Sequence, residues 1–148
     1  VSPKRMGNGH ANVVPYQAFA TADGQLVVAV GNDSQYRKLC AILGEPQWAD
    51  DARFANNAAR LANRAALIPL LAAKIATWDA QPLSLALEAE GVPAGPINDL
   101  AGVFADPQVI ARGMRFRPEG ASIDGVASPI VIDGERMVAA TGAPPLAP

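Results

Sequence analysis

The apolar run Leu26-Val27-Val28-Ala29-Val30 constrains this chain more than any other stretch. Five aliphatic residues in a row, without polar alternation, read as a strand covered on both faces, and helices packed over it must supply that cover. A second stretch of aromatic and aliphatic residues, from Tyr16 to Thr21, lies just upstream, with Asp23-Gly24 between the two. That dipeptide is expected to supply the φ > 0 positions of a tight turn, which makes residues 16–21 and 25–31 an antiparallel hairpin.

Helical periodicity follows directly. Tyr36, Leu39, Cys40 and Leu43 fall at i, i+3, i+4 and i+7, with Asp33 or Ser34 as N-cap and Gly44 as the C′ glycine ahead of Pro46. Trp48 and Phe54 are two aromatic anchors around an acidic turn. From Asn57 to Trp78 the pattern is again helical, with Leu61, Leu67, Ile68, Leu71, Ile75 and Trp78 apolar and Asn63 able to cap internally. Pro69 conflicts with an unkinked helix by about 3 kcal/mol, so a kink or a late start is expected. Asp79 can cap a further helix ending at Glu90 before Gly91 and Pro93. A short strand through Pro96 and Ile97 can join the hairpin, and Asp99 caps a helix through Phe104. Ile130-Val131-Ile132 reads as a strand within an otherwise extended tail.

Composition narrows the function. The 12 Lys and Arg are scattered among 14 Asp and Glu, for a formal charge of -2, so no basic stripe suits a nucleic-acid backbone. The single cysteine, Cys40, permits no internal disulfide and fits a reducing cytoplasm; on the apolar stripe of its helix it reads as a core thiol. No secretory signal or long apolar run is present, and a membrane partner is not expected. The 13 glycines and 13 prolines gather towards the ends, and the chain closes on Ala-Pro-Pro-Leu-Ala-Pro, so both ends read as crossings between domains.

Three ordered stretches carry a family resemblance. Pro3-Lys4-Arg5-Met6-Gly7-Asn8-Gly9-His10-Ala11-Asn12-Val13-Val14-Pro15-Tyr16 runs into the hairpin. Gly91-Val92-Pro93-Ala94-Gly95-Pro96-Ile97-Asn98 follows the last of the central helices. Asp106-Pro107-Gln108-Val109 with Arg112-Gly113-Met114 comes after that. Together they resemble the middle of the family III CoA-transferases, a superfamily that also includes acyl-CoA racemases.

The resemblance implies an α/β fold in which the hairpin and a third strand, covered by four or more helices, form a small domain inserted in a larger one. It divides the chain into a crossing at 1–14, a small α/β domain at 15–108, and a return segment at 109–148 that leads towards a larger domain whose first half is missing. It also implies acyl-CoA:carboxylate CoA-transfer through a covalent aspartyl-CoA intermediate, in a cytoplasmic, interlocked homodimer. The substrates are then acyl-CoA and a carboxylic acid, with no tightly bound cofactor. The nucleophilic aspartate belongs to the missing half, so no catalytic residue is assigned here and the isolated chain is expected to be inert. An α-methylacyl-CoA racemase or epimerase, or a non-catalytic interaction module, remains the alternative.

The substrate-facing residues that the resemblance implies are Gly7, Asn8, Gly9, His10, Ala11, Asn12 and Val13. In formyl-CoA transferase, a member of this family, the matching loop is glycine-rich and closes over the aspartate. Here His10-Ala11-Asn12-Val13-Val14 replaces the glycine run, which argues against assuming the same lid motion or oxalate and formate as substrates. His10, the single histidine, is either a donor to an acyl carboxylate or an exposed loop imidazole, and no Cys, Asp or Glu flanks it at metal-ligand spacing. Lys4 and Arg5 either reach an anionic group or stay solvated. Asp33 either caps its helix or, as in the related racemases, serves as an acid beside a histidine from the missing half.

Overall fold

The computed structural model describes residue 5 and residues 7–142. The chain divides into two compact units, Val1–Ile97 and Asn98–Pro148. Lys4 and the closing prolines, Pro144, Pro145 and Pro148, lie outside the described residues.

The first unit is built on the hairpin. Strands β1 (Tyr16–Ala20) and β2 (Gln25–Ala29) pair antiparallel, with Tyr16 opposite Ala29 and Ala20 opposite Gln25. A third strand, β3 (Ala94–Pro96), pairs antiparallel with β2, Leu26 opposite Pro96, to give the order β1-β2-β3. Pro96, which has no N–H to donate, stands on an edge strand where that loss is tolerated.

The hairpin departs from expectation in two respects. Four residues, 21–24, reverse the chain, with the Thr21 N–H donating to the Gly24 carbonyl at 3.0 Å, and neither Asp23 nor Gly24 takes a positive φ. A loop of this length needs no left-handed pair. Asp23 is used differently: its Oδ1 accepts from the Ala80 N–H at 2.8 Å and from the Thr21 hydroxyl at 3.0 Å. In β2, Leu26 and Val28 are fully buried, as is Val30 just beyond it, whereas Val27 and Ala29 are half-buried. The helices cover one face of the strand completely and the other face only partly.

Those bonds, the Ala80 N–H first, hold the Asp23 carboxyl below the usual carboxylate range. A carboxyl whose value is lowered by folding stabilises the fold above the ordinary range near pH 4, and that contribution is lost as pH falls through the lowered value. Asp23→Asn is therefore expected to shrink the difference in urea midpoint between pH 7 and pH 3. An unchanged difference would show that the turn carboxylate is not linked to folding.

Helix α1 (Asp33–Ile42) buries Tyr36, Leu39 and Cys40, and Leu43 completes the stripe. Its N-cap is Asn32, whose Oδ1 accepts from the Gln35 N–H at 2.9 Å, so neither Asp33 nor Ser34 caps it. A single 3₁₀ turn, Pro46–Ala49, carries the half-covered Trp48, and Phe54 is wholly buried. The long pattern from Asn57 then divides into α2 (Asn57–Ala62) and α3 (Arg64–Ile75).

The break falls at Asn63, six residues before Pro69, which sits inside α3. Asn63 closes α2, its Nδ2 donating to the Ala59 carbonyl at 2.9 Å, and opens α3 through its own carbonyl, which accepts from the Leu67 N–H at 3.0 Å; its side chain does not cap α3. Leu67, Leu71 and Ile75 face the core at i, i+4 and i+8. Leu61 is 38% exposed, and the residue of α2 that turns inward is Arg60.

Helix α4 (Ala80–Ala89) buries Leu83 and Leu87. Asp79 occupies its N-cap position without a side-chain bond; Pro82, at the third helical position, has no N–H to offer it, and the first helical N–H, that of Ala80, donates to Asp23. At the other end Gly91 has φ +73, and the Val92 and Gly91 N–H groups donate to the Leu87 and Glu88 carbonyls, a Schellman ending. A Cβ at Gly91 would meet nothing within 4 Å, so a substitution there pays for the backbone conformation alone. Gly91→Ala is expected to cost about 1 kcal/mol in urea unfolding.

The second unit contains α5 (Leu100–Ala105) and α6 (Pro107–Ala111), capped by the Asp99 and Asp106 carboxylates. Two short hairpins follow. In the first, β4 (Arg115–Phe116) pairs with β5 (Gly125–Val126); in the second, β6 (Val131–Ile132) pairs with β7 (Glu135–Arg136). Asp133 at φ 51 and Gly134 at φ 87 make the left-handed pair of the second turn. Leu100, Ile110, Ile123 and Val126 are each more than 60% exposed, a surface unlike that of the first unit. Among the described residues, no helix is long and apolar enough to cross a membrane.

Candidate functional site

The loop ahead of β1 is pinned to the helices by a row of polar side chains. Asn57, Arg60 and Arg64 stand at i, i+3 and i+7, a spacing that keeps them on one side of the α2–α3 pair. Asn56 caps α2 by accepting from the Ala59 N–H, and its neighbour Asn57 is committed to the loop. Asn57 Nδ2 donates to the Asn12 carbonyl at 2.9 Å, and its Oδ1 accepts from the Val14 N–H at 3.1 Å. Arg64 Nη2 donates to the carbonyls of His10 at 2.5 Å and Ala11 at 3.3 Å.

Arg60 is the centre of this row and is fully buried. Its Nε donates to the Val14 carbonyl at 2.7 Å, Nη1 to the Phe54 carbonyl at 3.0 Å, and Nη2 to Asp33 Oδ1 at 2.8 Å. Its guanidinium also lies over the Tyr36 ring, 4.4 Å from the centroid. A buried charge is tolerated when it is paired and its donors are satisfied, and Arg60 meets that condition through three separate segments. Asp33 therefore serves as the counter-ion of Arg60. Its side chain is 45% exposed.

Beneath this pair, burial pushes the Tyr36 phenol far above its ordinary value and raises the Cys40 thiol as well. Among the described residues the Tyr36 hydroxyl finds no partner. A protonated thiol in the core has little nucleophilic character.

Within the loop itself, Gly7 takes a left-handed φ of +64. The His10 N–H donates to the Tyr16 carbonyl at 2.9 Å, and the His10 and Tyr16 rings stack at 5.2 Å with 5° between planes. His10 Nδ1 accepts from the Asn12 N–H at 3.1 Å, so the neutral ring carries its proton on Nε2. Gly7, Asn8, His10, Ala11 and Asn12 are exposed, Gly9 and Val13 are half-buried, and Val14 is buried. Arg5 is exposed.

Beside the loop runs an open groove of about 600 Å³, with Gly9, Gln17, Leu61, Arg64, Ile68 and Pro69 in its lining. Among the described residues no group of three His, Cys, Asp or Glu side chains stands close enough to hold a metal. The arrangement provides a fixed loop with an outward-facing donor histidine and an apolar groove with an arginine in its wall.

The chain belongs to CoA-transferase family III, whose model matches residues 1–147. Among its relatives, the succinate–glutarate CoA-transferase of Agrobacterium fabrum is 47% identical over 133 residues, which cover 88% of this chain and 33% of that protein. The human succinyl-CoA:glutarate CoA-transferase is 37% identical over 126 residues, covering 85% of this chain and 29% of that protein. A CAIB/BAIF family protein from Brucella suis, of known crystal structure, superposes with a TM-score of 0.86 at 46% identity, covering 99% of this chain and 38% of that one. The chain thus spans about a third of the length of the curated relatives it matches.

Proposed function

We propose that this chain is the loop-bearing part of an acyl-CoA:carboxylate CoA-transferase that moves CoA between short dicarboxylic acids. The observation that carries this reading is the 47% identity to the Agrobacterium succinate–glutarate enzyme, which extends over 88% of the chain. The family resemblance implies an aspartate nucleophile in the part of the enzyme that this chain does not span. A carboxylate nucleophile splits one hard acyl exchange into easier steps.

On this reading residues 7–13 face the substrates, and the pinned carbonyls of His10, Ala11, Asn12 and Val14 hold that segment in one conformation before substrate arrives. Such preorganisation spares the enzyme an ordering cost during turnover. The acyl-CoA is a substrate, no resident cofactor is required, and the working enzyme is a cytoplasmic homodimer. The exposed Leu100, Ile110, Ile123 and Val126 suit surface that the rest of the enzyme covers. By itself the 148-residue chain is inert. Asp33 is held by Arg60, which gives the racemase alternative no support.

The test is a chimaera in which this chain replaces the matching 133 residues of the Agrobacterium enzyme. Transfer of CoA from succinyl-CoA to glutarate is expected to survive in the chimaera. A folded chimaera that binds succinyl-CoA and transfers nothing would count against the assignment.

A further inference from the structure

Among the described residues that line the groove beside the loop one is charged, and that residue is Arg64. Its Nη2 is spent on the His10 and Ala11 carbonyls, which fixes the plane of the guanidinium. Among the described residues its Nε and Nη1 donate to nothing, and no carboxylate lines the groove to neutralise it. The remaining wall is largely aliphatic, with Leu61, Ile68 and Pro69, and the amide of Gln17 stands in the same lining.

A ligand that satisfies this surface needs a short methylene chain for the aliphatic wall and an anionic, planar group for the guanidinium fork. Resting on the CoA-transferase reading, we propose that Arg64 is the specificity-determining residue of this groove, which binds the distal, non-reacting carboxylate of a dicarboxylic acid. A monocarboxylic acid of the same length places a methyl group where the guanidinium needs an acceptor and leaves its donors unpaired. Discrimination by an unpaired group of this kind is strong, because the mismatched ligand costs desolvation without return.

The experiment uses the protein expressed from the whole reading frame that encodes this chain. kcat/KM is measured with glutarate and with pentanoate, acceptors of equal carbon count, for the wild type, Arg64→Gln and Arg64→Lys. Arg64→Gln is expected to lower the glutarate-to-pentanoate ratio about 10- to 100-fold, the value of one charge-assisted hydrogen-bonded contact. Arg64→Lys is expected to recover part of it. Equal losses with both acceptors would overturn the proposal, because Arg64 would then act only as a brace for the loop. A change confined to the KM for acyl-CoA would overturn it too. If the wild type transfers CoA to no carboxylate, the transferase reading fails separately, and calorimetric titration with glutarate and pentanoate decides on Arg64. A glutarate preference lost in Arg64→Gln would support the assignment, and equal or absent binding would end it.

Discussion

Replacing Arg60 by methionine is expected to destabilise the chain by about 3–5 kcal/mol, the largest effect of any single side chain outside the aliphatic core. Methionine fills much of the same volume but donates nothing. The carbonyls of Val14 and Phe54, both in buried residues, lose the donors they now have, at about 1–3 kcal/mol each. The stacking over Tyr36 goes as well. Asp33 loses its partner too, but at 45% exposure water replaces the bond and little is added. Asp33→Asn keeps an acceptor for Nη2 but takes the counter-charge from a buried guanidinium, so it should cost about 1–3 kcal/mol, less than Arg60→Met, and the contrast between the two variants separates the backbone bonds from the ion pair. Urea unfolding at neutral pH measures both. An Arg60→Met variant within about 1 kcal/mol of the wild type would mean that the loop does not depend on this side chain.

The second large effect is in the core. Leu71 is fully buried on α3 between Leu67 and Ile75, and Leu71→Ala removes three buried carbons from a packed interior. Such truncations cost about 2–5 kcal/mol, the spread reflecting how far the site collapses. Its neighbour Leu70 is 39% exposed on the same helix, so Leu70→Ala makes the same chemical change at a position that buries far less. Helix propensity is common to the two, and the difference between them reports packing alone. Leu71→Ala is expected to exceed Leu70→Ala by more than 1.5 kcal/mol in urea unfolding. Similar costs would contradict the placement of the inward face of α3.

Much of the architecture is written in local pattern. The α1 stripe of Tyr36, Leu39, Cys40 and Leu43, the pairing of the hairpin strands and the Asp99 cap depend on residues close in sequence, and the structure bears each of them out; the third strand forms as well, at Ala94–Pro96, against a partner far upstream. Local signals failed where several chemistries compete for one side chain. Asn32, Asp33 and Ser34 all suit an N-cap, and Asp33 was drawn away by Arg60, a partner 27 positions distant. Asp23 reads as a turn former, yet its carboxylate accepts from the Ala80 N–H, 57 positions on.

Arg60 illustrates the limit best. An arginine beside Leu61 in an amphipathic pattern reads as the solvated residue, and the structure reverses the two. Its three acceptors lie 6, 27 and 46 positions away, so no window of sequence contains them. One signal is present in the sequence: the Asn57, Arg60, Arg64 spacing aligns three polar side chains on a single helical side. The assignment of residues 7–13 to the substrate side rests on family resemblance alone, and the side chains that anchor them are not readable from it.

The most direct test of the account is the reaction itself. The protein expressed from the whole reading frame, supplied with succinyl-CoA and glutarate in deuterated buffer, is expected to yield glutaryl-CoA and succinate in equal amounts, with no deuterium at the α-carbon, as read by mass spectrometry. Deuterium at the α-carbon without transfer of CoA would contradict it and place the enzyme among the racemases.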